Sequence, residues 1–222
     1  VTPYFRVVDQ EIEVKLTENS YFKFFQSGHI LGACSIELNF DGKVLIFSGD
    51  VGQADDVLMY PPRKPQKADY VFLESTYGNR LHPQNDVLFD LEMIINTTIN
   101  RGGNVVIPSF AVERAQTIMY LLWQLRLQNR VPDIPYIIDT PMGIKVLDIF
   151  NDNPNWHKLN PQECEEMCSM FSMISDYEDT INAIYDKRPK VVIAASGMIT
   201  GGRVLSYLER YIGLPETTVI IV

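Results

Sequence analysis

Three short segments of this chain carry side chains able to hold a metal or move a proton. The first is Ser27-Gly28-His29-Ile30-Leu31-Gly32. A histidine flanked by glycines escapes the constraints of helix and sheet, and its neutral imidazole is a good zinc ligand. The structural alternative is a turn histidine bonded to a nearby carbonyl. The second segment is Ser48-Gly49-Asp50, directly after the apolar run 44–47. A carboxylate at a strand tip can bridge two metals or orient a water, or simply occupy a turn. The third is Glu74-Ser75-Thr76-Tyr77-Gly78, after the run 68–73. Its carboxylate could orient a histidine or transfer a proton. Ser, Thr and Gly equally favour caps and turns.

The surrounding elements must position these groups. Residues 11–16 alternate, and 21–26 are aromatic and extended. Runs 35–40 and 43–48 flank Asp41-Gly42, a hairpin signal. A loop over 49–67, with Pro61-Pro62, leads to a short apolar strand at 68–73. After Gly78 the period changes. Val87, Leu88, Leu91, Ile94, Ile95 and Ile99 have helical spacing within 85–100, and Gly102-Gly103 closes that helix. Runs 104–108, 136–139, 190–195 and 217–222 read as buried strands. Segments 111–127, 142–150, 177–186 and 202–211 read as helices, while 151–175 shows no clear period. The expected class is α/β. A hairpin-rich domain at 1–78 is followed by strand–helix alternation at 79–222, which predicts a mainly parallel sheet flanked by helices. The three chemical segments fall at strand ends, where such proteins place ligands.

The second part has motifs of its own. They are Ile107-Pro108-Ser109-Phe110-Ala111-Val112-Glu113-Arg114-Ala115-Gln116, Asp139-Thr140-Pro141-Met142 and Ala195-Ser196-Gly197-Met198-Ile199-Thr200-Gly201-Gly202-Arg203. Ser196-Gly197 and Gly201-Gly202 lie between a buried strand and a helix. Such a turn can offer backbone N–H groups to a phosphate, or it can be a tight turn and nothing more. Preceded by GHILGACS, SGDVG and ESTYGNRLH, these strings resemble, in order, the motifs of the metallo-β-lactamase-fold nucleases of the β-CASP group. That group includes RNase J and the endonuclease of cleavage and polyadenylation. The likeness covers nearly the whole chain, and Ala111-Val112-Glu113-Arg114 is similar to the bacterial spelling.

The resemblance implies a partial metallo-β-lactamase αββα sandwich followed by a β-CASP domain. It implies a zinc-dependent ribonuclease that hydrolyses RNA phosphodiesters in processing or decay. His29 and Asp50 would be zinc ligands, with Asp50 bridging two ions, and Asp50 and Glu74 would act in catalysis. Ser75, Thr76, Tyr77, Arg114, Ser196, Gly197, Gly201, Gly202 and Arg203 would face the substrate. Single-stranded RNA is the implied partner, a homodimer is compatible with it, and no membrane partner is expected. Two rivals stand beside this reading: a non-catalytic RNA-binding scaffold of the same family, and a small-molecule metallo-hydrolase. Two zincs need roughly six protein ligands, more than His29 and Asp50 supply. The family's HxHxDH string and its later histidines do not occur in the chain. The expectation is therefore a central fragment, inactive alone, with the other ligands beyond both ends. His82 would line the cleft or sit on a surface loop, and His157 reads as structural. Cys164, Cys168, Met167, Met170 and Met173 read as packing residues. Cys34 stands where relatives often have Ser, and Gln53 where they often have Arg.

Composition narrows the classes further. The chain has 222 residues, 46% of them hydrophobic, which excludes a disordered tail. No apolar run approaches the roughly 18–20 residues of a membrane helix, and no secretory leader is recognisable before Val1. Three cysteines in no spaced framework fit a reducing, cytoplasmic setting. A formal charge of -9 argues against a broad basic nucleic-acid face. It leaves room for a narrow, cation-bearing cleft.

Overall fold

The computed structural model describes residues 4–81 and 85–221, so His82 lies outside the described residues. The chain forms two compact units. One comprises Val1–His82 with Asn155–Lys158, the other Pro83–Pro154 with Leu159–Val222.

The first unit is a sheet of five strands in sequence order: β1 (Val14–Thr17), β2 (Ser20–Gln26), β3 (Cys34–Phe40), β4 (Lys43–Phe47) and β5 (Tyr70–Phe72). The first four pair antiparallel, and β5 joins β4 in parallel. Asp41 (φ 46°) and Gly42 (φ 75°) make the β3–β4 turn. Two positive φ values in succession give the turn twist that hairpins favour. The register aligns Val14, Phe22, Leu38, Leu45 and Tyr70, and next to them Phe24, Ile36, Phe47 and Phe72. Side chains two apart share a face, so the middle of one face of the sheet is apolar, with Ser20, Gln26 and Lys43 toward its ends. The Phe47 and Phe72 rings stack on it, centroids 4.6 Å apart. Among the described residues of this unit only Ile46, Leu58 and Met59 are buried apolar side chains. Residues 155–158 bind the same unit: Lys158 N–H donates to the Leu58 carbonyl (2.8 Å), Gln26 Nε2 donates to the Trp156 carbonyl (3.0 Å), and buried His157 bridges Met59. Of the αββα sandwich, the described residues of this unit hold one sheet and no α-helix.

The second unit is a parallel sheet in the order β10-β6-β9-β7-β8, with strands β6 (Val105–Pro108), β7 (Tyr136–Asp139), β8 (Ser172–Met173), β9 (Val191–Ala194) and β10 (Thr218–Val219). Every residue of β6, β7 and β9 is buried, as parallel strands covered on both faces must be. The two edge strands have two residues each. The helices are α1 (Val87–Asn100), α2 (Arg114–Leu127), α3 (Pro141–Asp152), α4 (Pro161–Ser169), α5 (Tyr177–Tyr185) and α6 (Val204–Tyr211). Three of their starts are written in side chains. Asp86 caps α1, Thr140 caps α3 ahead of Pro141, and Asn160 with Glu163 forms a reciprocal box on α4. Helix α2 begins later than its apolar spacing predicts, because Glu113 turns the chain with φ 67°. The unread stretch 151–175 contains α4 and β8. Helix α1 packs on α2 and β6, and α6 packs on β6 and α5. Val106, Val192 and Ala194 meet Ile184, Tyr207 and Tyr211 in the core.

The half-exposed apolar face of the first sheet has a direct consequence. The 222-residue chain should bind an environment-sensitive dye such as ANS while retaining native far-UV circular dichroism. Replacing Phe47 and Phe72 together by Ser should lower that signal; an unchanged signal would place the dye elsewhere.

Candidate active site

In the first unit, the ends of β4 and β5 and the loop before β3 bring three of the expected residues to one place. His29 Nε2 lies 3.7 Å from Asp50 Oδ2, and both side chains are open to solvent. Glu74 lies just beyond β5. Its Oε1 accepts from Val51 N–H (3.2 Å) and its Oε2 from Thr76 N–H (3.0 Å). Those N–H donors, Thr76 first, hold the Glu74 carboxyl below the ordinary glutamate range, and the nearby His29 adds to the effect. Glu74 thus braces the residue after Asp50 and the start of its own turn. Two serines complete the frame. Ser35 Oγ donates to the Ser48 carbonyl (2.8 Å), Ser48 Oγ donates to the Gly49 carbonyl (2.6 Å), and Glu74 N–H donates to Ser48 Oγ (2.9 Å). Neither serine stood out as functional in the sequence. Ser75 and Tyr77 lie in consecutive turns, their carbonyls accepting from Gly78 N–H and Arg80 N–H.

His29 and Asp50 fit a divalent cation as two of its ligands: one imidazole and one carboxylate, adjacent, accessible and held by backbone. No group of three His, Cys, Asp or Glu able to hold a metal occurs among the described residues.

In the second unit the loop after β9 is shaped by packing. A Cβ on Gly197 would come within 2.9 Å of the Phe110 ring, and one on Gly202 (φ 76°) within 2.5 Å of the Ala195 carbonyl oxygen. Gly201 has open space around it. Ser196 Oγ is buried without a partner among the described residues. Arg114 is exposed at the first position of α2 and makes no ion pair among the described residues. Arg203 is placed differently. Its Nη1 donates to Asp139 Oδ1 (3.1 Å), to the Asp176 carbonyl (2.8 Å) and to Thr180 Oγ1, and its Nη2 donates to the Ser175 carbonyl (2.6 Å). Asp139 is fully buried, and Tyr207 Oη donates to its other oxygen at 2.8 Å. Burial pushes the Asp139 carboxyl up, while Thr180, Tyr207 and Arg203 pull it back. Burial, with Asp139 alongside, pushes the Tyr207 phenol up, so it stays a donor. The Arg203 guanidinium is thus turned inward, onto the end of β7.

Residues 115–222 match the Beta-Casp domain. These residues belong to the β-CASP domain family. A ribonuclease of Thermus thermophilus is 32% identical over 207 residues, 90% of this chain and 47% of the relative. An RNase J-like protein of Methanocaldococcus jannaschii is 33% identical over 205 residues, 89% of this chain and 47% of the relative. An endoribonuclease of Schizosaccharomyces pombe is 29% identical over 214 residues, 92% of this chain and 28% of the relative. The chain spans about half the length of the first two or less.

Arg203 and Arg114 should behave differently on removal. Arg203→Ala leaves a buried carboxylate unpaired and should cost about 3–5 kcal/mol in urea unfolding. Arg114→Ala, at an exposed site, should stay within about 0.5 kcal/mol. Glu74 gives a pH test. Its folded pKa is lowered, so its stabilisation is present above the unfolded glutamate value and is lost as pH falls through the folded one. Below about pH 4.3, the ordinary glutamate value, stability of the wild type should fall more steeply than that of Glu74→Gln.

Proposed function

We propose that the polypeptide containing this chain is a zinc-dependent ribonuclease acting on single-stranded RNA in processing or decay. The observation that carries the reading is the approach of His29 to Asp50 beside Glu74, in a chain similar to proteins named as ribonucleases. His29 and Asp50 would hold metal, with Asp50 bridging two ions. Zinc bound there supplies Lewis-acid charge against a phosphodiester. Glu74 keeps the backbone after Asp50 in place through Val51 N–H and Thr76 N–H, and so fixes the direction of the Asp50 carboxylate. Residues Ser75, Thr76 and Tyr77 of the adjoining turn are open to substrate. In the second unit Arg114 supplies an exposed cation, and, with Ser196 N–H bound to the Gly201 carbonyl, the N–H groups of Gly197, Gly201 and Gly202 suit phosphate oxygens. Arg203 supports that loop through Asp139.

Zinc content and cleavage of single-stranded RNA by the full-length polypeptide test the reading. Asp50→Ala should lose zinc and reduce cleavage to background, and Glu74→Gln should lower turnover by about 10–100-fold, as loss of a supporting partner does. Equal cleavage by the wild type and Asp50→Ala would refute it. Binding of RNA by the wild type without cleavage would favour the scaffold alternative.

A further inference from the structure

Besides the His29–Asp50 side-chain approach, the loops bearing these two residues meet backbone to backbone, and that contact leaves no room for a side chain. Gly52 N–H donates to the Ser27 carbonyl at 2.9 Å. A Cβ on Gly52 would stand 1.9 Å from the Gly28 carbonyl oxygen and 2.7 Å from the His29 nitrogen. Gly52 does not have a left-handed φ, so its requirement is contact and not conformation. The His29 loop has no space to retreat. The Cβ position of Gly28 lies 2.5 Å from the Tyr60 carbonyl oxygen and 3.0 Å from the Pro62 nitrogen, and Pro61-Pro62 is a stiff backing. Arg63 N–H ties the same backing segment to the Gln26 carbonyl at 3.0 Å.

We propose that Gly52 is a positioning residue that sets the separation of His29 and Asp50, and with it metal affinity. The proposal rests on the metal reading above. With any other residue at 52, the two loops must part by roughly 1 Å or more to restore ordinary contact. The Asp50 loop is the one free to move, since Tyr60 and Pro62 stop the other. Only Val51, whose N–H donates to Glu74, stands between Gly52 and Asp50, so a shift at 52 passes through Val51 and turns the Asp50 carboxylate. Gly32 offers an internal control. It lies in the same His29 loop and needs glycine for a different reason: its φ is 83°, with nothing within 4 Å of an added Cβ. Gly32→Ala should lower stability without changing the His29–Asp50 spacing.

Cobalt(II) titration of the full-length polypeptide, followed by visible d–d absorption, reads affinity and ligand geometry together. Gly52→Ala should weaken Co2+ binding about tenfold or more and shift the bands. Gly32→Ala should lower Tm and leave both readouts at wild-type values. Where Gly52→Ala does not fold, Pro62→Gly decides, because it loosens the backing without touching Gly52. It should weaken Co2+ binding several-fold, by the general sensitivity of ligand-supporting groups. Wild-type affinity and spectrum in folded Gly52→Ala overturn the proposal, as do equal losses in Gly52→Ala and Gly32→Ala. With Gly52→Ala unfolded, wild-type binding by Pro62→Gly does the same. If the wild type takes up no Co2+, or Asp50→Asn binds it unchanged, the metal reading itself falls and the proposal falls with it.

Discussion

A fully buried carboxylate at the end of a central strand is the constraint that organises the second unit. Asp139 closes β7 with no solvent to share its charge, and an isolated charge in such a place is unaffordable. Arg203, Tyr207 and Thr180 converge on it from two helices and a loop. Their convergence binds β7 to α5 and α6 and holds the Ser175 and Asp176 carbonyls against the same guanidinium. Replacing such a network by apolar groups is often no loss in stability. What the network supplies is definition: it fixes where the loop 196–203 must pass before α6 can begin.

The first unit is organised by a different device. Its candidate site is set by main chain, through Gly52 against Gly28 and through carbonyls and N–H groups bridged by Ser35, Ser48 and Glu74. Main-chain contacts have few degrees of freedom, so they hold ligands at a separation that long side chains would blur. The cost is intolerance of substitution at positions that never meet a substrate. The two units illustrate two ways of making a strand end useful: one buries a charge and pairs it, the other brings backbones into contact.

Which parts could be read from sequence follows from the range of the forces involved. Strands β6, β7 and β9 were legible because burial on both faces leaves continuous apolar runs. Helix α1 was legible from its period and its flanking residues. Helix α4 was not, because Pro161–Ser169 is acidic and weakly periodic; its only local signal is the Asn160, Pro161 and Glu163 cap. The two-residue strand β8 carries no period at all, whereas β10 was legible from the apolar run 217–222 that contains it. At the site, the types of His29, Asp50 and Glu74 were informative, and their meeting was not. It depends on a glycine contact between loops whose residues are more than twenty apart. Arg203 is the sharpest case. In sequence it looks like a cation beside a glycine turn, available to phosphate. Its actual partner lies 64 residues away on β7, and nothing local distinguishes one anion from the other.

The placement of Arg203 also changes what the chain's charge means for RNA. A net charge of -9 already argues against a broad electrostatic face. With Arg203 turned onto Asp139, the motif segments keep Arg80 and Arg114 as exposed arginines. In the proposed RNA complex these arginines would neutralise few phosphates, and their share of counterion release would be small. In the proposed ribonuclease, recognition would then draw on directed N–H groups and on cations held by carboxylates such as Asp50. An acidic protein and a polyanion would be compatible in that proposed arrangement, because a bound divalent ion would reverse the sign of the field at the point where the carboxylates otherwise repel the substrate.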